Sequence, residues 1–146
     1  MNEITTAILK NNVFCTVATV DDDGSPRATP VHFAFDETNI YWLSKDNTVH
    51  SGNIARDRRV FIVVFDSRQA AETLGDRGAV YIATHALKLS GDAAIAARDV
   101  YADRFPDDNG RKLVDWNVYA APIGVMDAEK SVDQLVYYRD TGEVAS

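Results

Sequence analysis

The chain has 146 residues, 46% hydrophobic and 25% charged, a balance that excludes disordered and collagen-like classes and suits one globular core. Its formal net charge of −7 speaks against nucleic acid and anionic membrane as partners unless basic residues are segregated on one face. The single cysteine, Cys15, permits neither an intrachain disulfide nor a cysteine-based zinc site.

In chain order, Ile4, Ala7 and Ile8 recur at helical spacing and predict a short helix over residues 3–10. "VFCTVATV" (13–20) is β-branched and aromatic, and "DDDGSP" (21–26) is a dense turn signal ahead of "RATPVHFAF" (27–35), so these runs form a hairpin. Pro30 cannot donate to a ladder and belongs at a sheet edge or bulge, where backbone groups are free to meet a ligand. "IYWLS" (40–44) predicts a third strand, followed by a short helix capped by Asn47 or Thr48 and running to about Asp57. "RVFIVVFD" (59–66) is almost continuously apolar, as expected of a strand buried on both faces.

The polar segment 67–78 reads as a loop, and "AVYIATHALKLS" (79–90) as one long strand. Asp92 is placed to cap a helix whose Ala94, Ala97, Tyr101 and Phe105 share a face and which Pro106 ends. Residues 117–129 and 131–140 supply two further strands, and "DTGE" a last turn. Six or seven strands joined mainly as hairpins, with helices interspersed, predict an antiparallel barrel with helical additions, because strands this long need closure or cover at their edges. No linker or repeat divides the chain, so residues 1–146 are expected to form a single domain.

No run approaches the roughly 20 apolar residues of a membrane span, and the N-terminus lacks the basic start and apolar middle of a signal peptide, so a cytoplasmic protein is expected. P-loop, Rossmann, zincin and α/β-hydrolase motifs are all missing. "DDDG" lacks the alternating ligand spacing of a calcium loop, and His32, His50 and His85 have no metal-binding spacing. Cys15, between Phe14 and Thr16 in a predicted strand, reads as a buried small hydrophobe. Tyr41, Trp42, Trp116, Tyr119, Tyr137 and Tyr138 suit core or interface, with about one of them expected to touch a ligand.

The run "WLSKDNTVHSGNI" (42–54) stands apart. A strand end carrying Ser44, a helix start at Asn47–Thr48 and the arginines of "ARDRRV" (55–60) would gather hydroxyls, free amides and positive charge, which is what a phosphate group requires. The same run equally fits a capped surface helix with no ligand.

"RATPVHF" (27–33), "IYWLSKDNTVHSGNI" (40–54) and "DRRVFIVVFD" (57–66), in this order and spacing, resemble the pyridoxamine 5′-phosphate oxidase-like family of FMN-binding split β-barrels. The resemblance implies an antiparallel split barrel that dimerises with FMN at the subunit interface. It implies that Arg27, Thr29, Pro30 and Val31 lie along the flavin, and that Ser44 and His50 hold the phosphate, with Thr48 and Asn53 assisting. His50 stands where the family commonly carries lysine or arginine, and His32 where its strand often ends in lysine. The basic residues with which the true oxidase holds pyridoxamine phosphate have no clear equivalent, so the expected function is FMN-dependent oxidoreduction of another small molecule, with no catalytic side chain assigned. A flavin-binding protein for storage or sensing, or the same barrel carrying F420 or haem, are the alternatives that the family allows.

Overall fold

The computed structural model describes Met1, residues 3–66, 78–107 and 115–123, and the backbone of 136–137. Helix α1 (Glu3–Asn11) leads into the hairpin of β1 (Phe14–Val20) and β2 (Pro26–His32). β3 (Ala34–Phe35), β4 (Asn39–Ser44), α2 (Val49–Arg56) and β5 (Arg59–Phe65) follow. Then come β6 (Ala79–His85), β7 (Leu87–Lys88), α3 (Gly91–Arg104), β8 (Asn117–Pro122) and β9 (Val136–Tyr137). The expected loop at 67–77, the continuations of the last two strands and the final turn lie outside the described residues.

The strands make two antiparallel sheets, ordered β2-β1-β5-β6-β9 and β3-β4-β8-β7. Among the described residues these sheets are not closed into a barrel. Two runs that the sequence presents as single strands cross from one sheet to the other. The 27–35 run bends at Phe33 and the 79–90 run at Ala86, both fully buried. Each bend falls one residue past the end of a ladder: Phe33 N–H donates to Val13 O at 3.1 Å and Ala86 N–H to Arg58 O at 2.8 Å. Corners of this kind let two sheets share their strands around one core.

The core between the sheets contains Val17, Phe33, Trp42, Ile62, Ile82 and Ile123. Trp42 is fully buried and stacks on Tyr119 with centroids 5.7 Å apart and planes 9° from parallel. A smaller cluster under α3 buries Ala94, Ala97 and Tyr101 against Tyr41, Leu43 and Val118, as the helical spacing predicts. The cap of α3 is Ser90, without a side-chain bond, so Asp92 sits in the first turn instead of capping. In α1 the buried face is Thr5, Ile8 and Leu9, while Ile4 is exposed, which rotates the helix from the expected Ile4–Ala7–Ile8 face.

β5 departs most from expectation. It alternates strictly, with Val60, Ile62 and Val64 inward and Phe61 and Phe65 outward at 39% and 53% exposure. Phe14, level with this row on β1, is 55% exposed. Among the described residues the outer face of the five-stranded sheet is therefore apolar and uncovered, and the continuous run in the sequence reflects an inner core plus this outer face.

Candidate functional site

β4 runs through the core and ends at Ser44, opposite Asn117 on β8. The chain turns over residues 45–47 and enters α2 at the extended Thr48 (φ −80°, ψ 150°), whose hydroxyl accepts from Ser51 N–H at 3.2 Å. Thr48 is thus the N-cap, and Ser51 occupies the third helical position, from which a side chain faces back to the cap. His50, one residue earlier, turns inward.

These elements bring Ser44, Thr48 and His50 together. Ser44 Oγ is 2.8 Å from His50 Nε2, 3.2 Å from Thr48 Oγ1 and 3.2 Å from Ser51 Oγ. Thr48 Oγ1 is 2.7 Å from Ser51 Oγ and 3.4 Å from His50 Nε2. Ser44 and His50 are 3% and 9% exposed. Burial pushes the His50 imidazole below its ordinary value of 6.5, because the charged form loses water there without gaining a carboxylate. Ser51 was missed by sequence reasoning; its position three residues after the capping threonine was the available signal.

The donor set fits a phosphate. It consists of hydroxyls and an imidazole nitrogen with no carboxylate among them, beside the first-turn amides of Val49 and His50, which helix geometry leaves without intrahelical acceptors. The hydroxyls now bond mainly to one another, so an anion entering the cluster would exchange neutral bonds for stronger charge-assisted ones.

Asn53 is not part of this cluster. Its Nδ2 donates to Thr19 Oγ1 at 3.0 Å and to Asp21 Oδ1 at 2.7 Å, and its Oδ1 accepts from Arg56 at 3.1 Å. It buttresses α2 against β1 and the first hairpin. Arg27 is tied into the same chain, its Nε donating to Asp21 Oδ1 at 2.8 Å, and this shared pairing holds the Asp21 carboxyl below the usual carboxylate range. Nor do Arg56 and Arg59 bond to the hydroxyls. Arg56 donates to Val20 O at 2.6 Å and Arg59 pairs with Asp57 at 2.7 Å. They stand at the far end of α2, about 12 Å along an eight-residue helix, so the positive charge expected from "ARDRRV" is not at the helix start.

β2 is an edge strand, as Pro30 requires. The register pairs Arg27, Thr29 and Val31 with Thr19, Val17 and Cys15, all buried, so these three share the inner side. Pro30, paired with Thr16, faces the other side. The Arg27 end of β2 is joined to α2 through Asp21 and Asn53, and β2 also approaches β4. Of the expected aromatics, Trp42 and Tyr119 are core, Tyr41 donates to Asp36 Oδ2 at 2.8 Å, and Trp116 lies under the Lys45 ammonium. The side chains of Tyr137 and Tyr138 lie outside the described residues. Cys15 is 2% exposed and its thiol is pushed up to about 12 by burial, an inert group. No group of three potential metal ligands occurs among the described residues, and no described helix is long and apolar enough to cross a membrane.

Residues 1–138 match the family described as pyridoxamine 5′-phosphate oxidase. The chain belongs to that family. No curated protein matches it. Among solved structures it resembles a haem-binding protein from Mycobacterium smegmatis at 23% identity and TM-score 0.71, covering 82% of this chain and 49% of that one. It resembles the haem storage protein HutZ of Vibrio cholerae at 18% identity and TM-score 0.69, covering 81% and 86%. An F420 reductase matches at 18% identity and TM-score 0.60, covering 80% and 90%. The chain thus spans about half the length of the first of these, and identities this low establish a shared fold.

Proposed function

We propose that this member of the family is an FMN-binding redox protein that acts on a small molecule. The observation that carries the reading is the buried Ser44–Thr48–His50–Ser51 cluster at the start of α2, a carboxylate-free set of donors of the kind a phosphate monoester needs. Ser44 and the α2 amides fix the phosphate oxygens, and His50 adds positive charge once an anion is beside it. From there the ligand extends toward the inner side of β2, where Arg27, Thr29 and Val31 lie, with the main chain at Pro30 free on the sheet edge. Asn53 contributes by holding α2 to the hairpin that carries Arg27. When bound, the isoalloxazine supplies hydride or electron transfer, and the chain supplies orientation and exclusion of water.

The outer face with Phe14, Phe61 and Phe65, uncovered among the described residues, supports a homodimer, in which a second copy completes the split barrel's flavin site. A storage or sensing role without turnover rests on the same phosphate cluster. Haem or F420 in place of FMN is the second reading, favoured by the shared fold with haem-binding proteins and an F420 reductase.

The test is the visible spectrum of the purified protein with and without added FMN, alongside the Ser44→Ala/His50→Ala double variant. A perturbed flavin spectrum that the double variant loses is the expected result. No perturbation by FMN, with a haem or F420 spectrum appearing instead, would overturn the assignment. Oxidation of reduced nicotinamide by the FMN-loaded protein then separates an enzyme from a store.

A further inference from the structure

A cleft of about 350 Å3 lies between α2 and the bend at Ala86, and neither Ser44 nor His50 lines it. This volume is at the lower end of the range for small-molecule sites. Ile54, Ala86 and Leu87 give it an apolar floor, and Tyr119 forms a wall. Tyr119 is only 3% exposed, its ring held by the stack on Trp42, and its hydroxyl makes no hydrogen bond among the described residues. A phenol held this firmly at the wall of a cleft, with no hydrogen-bond partner for its hydroxyl among the described residues, is the kind of group that ligand sites present.

Two cations border the same space. Arg58 has no ion pair or hydrogen bond among the described residues, since its neighbour Asp57 is engaged by Arg59 at 2.7 Å. Lys88 stands opposite Tyr119 in the β7–β8 ladder and reaches Asp46 at 2.9 Å across the rim. That bridge is exposed on both sides and holds Lys88 weakly, so an incoming anion can take Asp46's place at little cost.

We propose that this cleft is a second ligand site, separate from the phosphate cluster, for a small ring compound with an anionic head, a carboxylate or a phosphate. The ring lies on Ile54, Ala86 and Leu87. The head is held by Arg58 and Lys88, and the Tyr119 hydroxyl donates to it. Occupancy would be felt on α2, because Ser51 contributes to the cleft and to the Ser44 cluster alike.

Calorimetric titration of the full chain with benzoate, phenyl phosphate and inorganic phosphate tests this. At least one ring probe is expected to saturate a single site, with inorganic phosphate about tenfold weaker for want of an apolar body. Whichever ring probe binds tighter identifies the head group. Arg58→Gln, an exposed substitution, should weaken the ring probe about tenfold or more. Tyr119→Phe, which keeps the stack on Trp42, should weaken it roughly threefold to tenfold, and Ser44→Ala, which reaches the cleft only through Ser51, should weaken it less than Arg58→Gln does. The proposal is overturned if neither ring probe saturates or if inorganic phosphate binds as tightly as the better ring probe. Binding that survives Arg58→Gln and disappears in Ser44→Ala would overturn it too, assigning the probe to the phosphate cluster.

Discussion

FMN affinity measured against pH isolates the contribution of His50. In the free chain, burial holds the imidazole below 6.5, so at neutral pH the ring is uncharged. A phosphate within reach of Nε2 favours the imidazolium, and binding therefore takes up a proton. The sign follows by linkage: affinity is greatest on the acid side and falls as pH rises from the free-protein value, below 6.5, through the raised value of the complex. One charge-assisted bond contributes about 1.5–3 kcal/mol, so the total loss across that window is roughly 10- to 150-fold. With one proton involved, the slope stays within about one log unit of affinity per pH unit.

The FMN phosphate has its own second ionisation near about pH 6, which works in the opposite direction. His50→Lys, which keeps its charge throughout, supplies the baseline to subtract. The assay is flavin fluorescence titration from about pH 5.5 to 8.5, the interval in which histidine titrates. Calorimetry in two buffers of different ionisation enthalpy counts the protons taken up. Parallel wild-type and His50→Lys profiles, with no proton uptake by the wild type, would refute the role of His50.

Without ligand, the depressed His50 value makes stability full above 6.5 and lower as pH falls beneath it, because the unfolded chain binds the proton first. His50→Gln should flatten this dependence in urea-unfolding midpoints measured between about pH 7.5 and 5.5, above the range where carboxylates titrate. Thr48→Ala removes the α2 cap and should cost about 1 kcal/mol, seen as a fall of roughly 3 °C in Tm. Asn53→Ala strands the partners Thr19 and Asp21 and should cost about 1–3 kcal/mol of stability, with a smaller effect on FMN affinity than Ser44→Ala has. Phe61→Lys, on the outer face of the five-stranded sheet, should leave a folded monomer in sedimentation velocity. A dimer retained by that variant would exclude this face as the interface.

Much of the element order was legible because it depends on local chemistry. The "DDDGSP" turn, the Thr48 cap and the Ala94–Ala97–Tyr101 face lie within a few residues of what they determine, and the structure places them as the spacing predicts. Ser44 and Thr48 were legible as neighbours for the same reason, since a strand end and the next helix start are necessarily adjacent, whereas His50 entered through the family resemblance and Asn53, grouped with them in the sequence, bonds elsewhere. The partners of Asn53 and Arg56 were not legible, because Thr19, Val20 and Asp21 lie in and just after β1, far back in the chain, and only the packing of α2 against that strand brings them together.

The sequence by itself determined the alternation of turns, strands and caps, and with them the run of polar residues that ends β4 and begins α2. Only the tertiary structure decided that the 27–35 and 79–90 runs bend between two sheets, that the β5 phenylalanines face outward, and that Arg56 and Arg59 stand away from the hydroxyls. Those outcomes depend on which faces meet across the core. Hydrophobic burial is non-directional, and a strand's apolar residues do not state whether the surface that covers them belongs to this core or to another molecule.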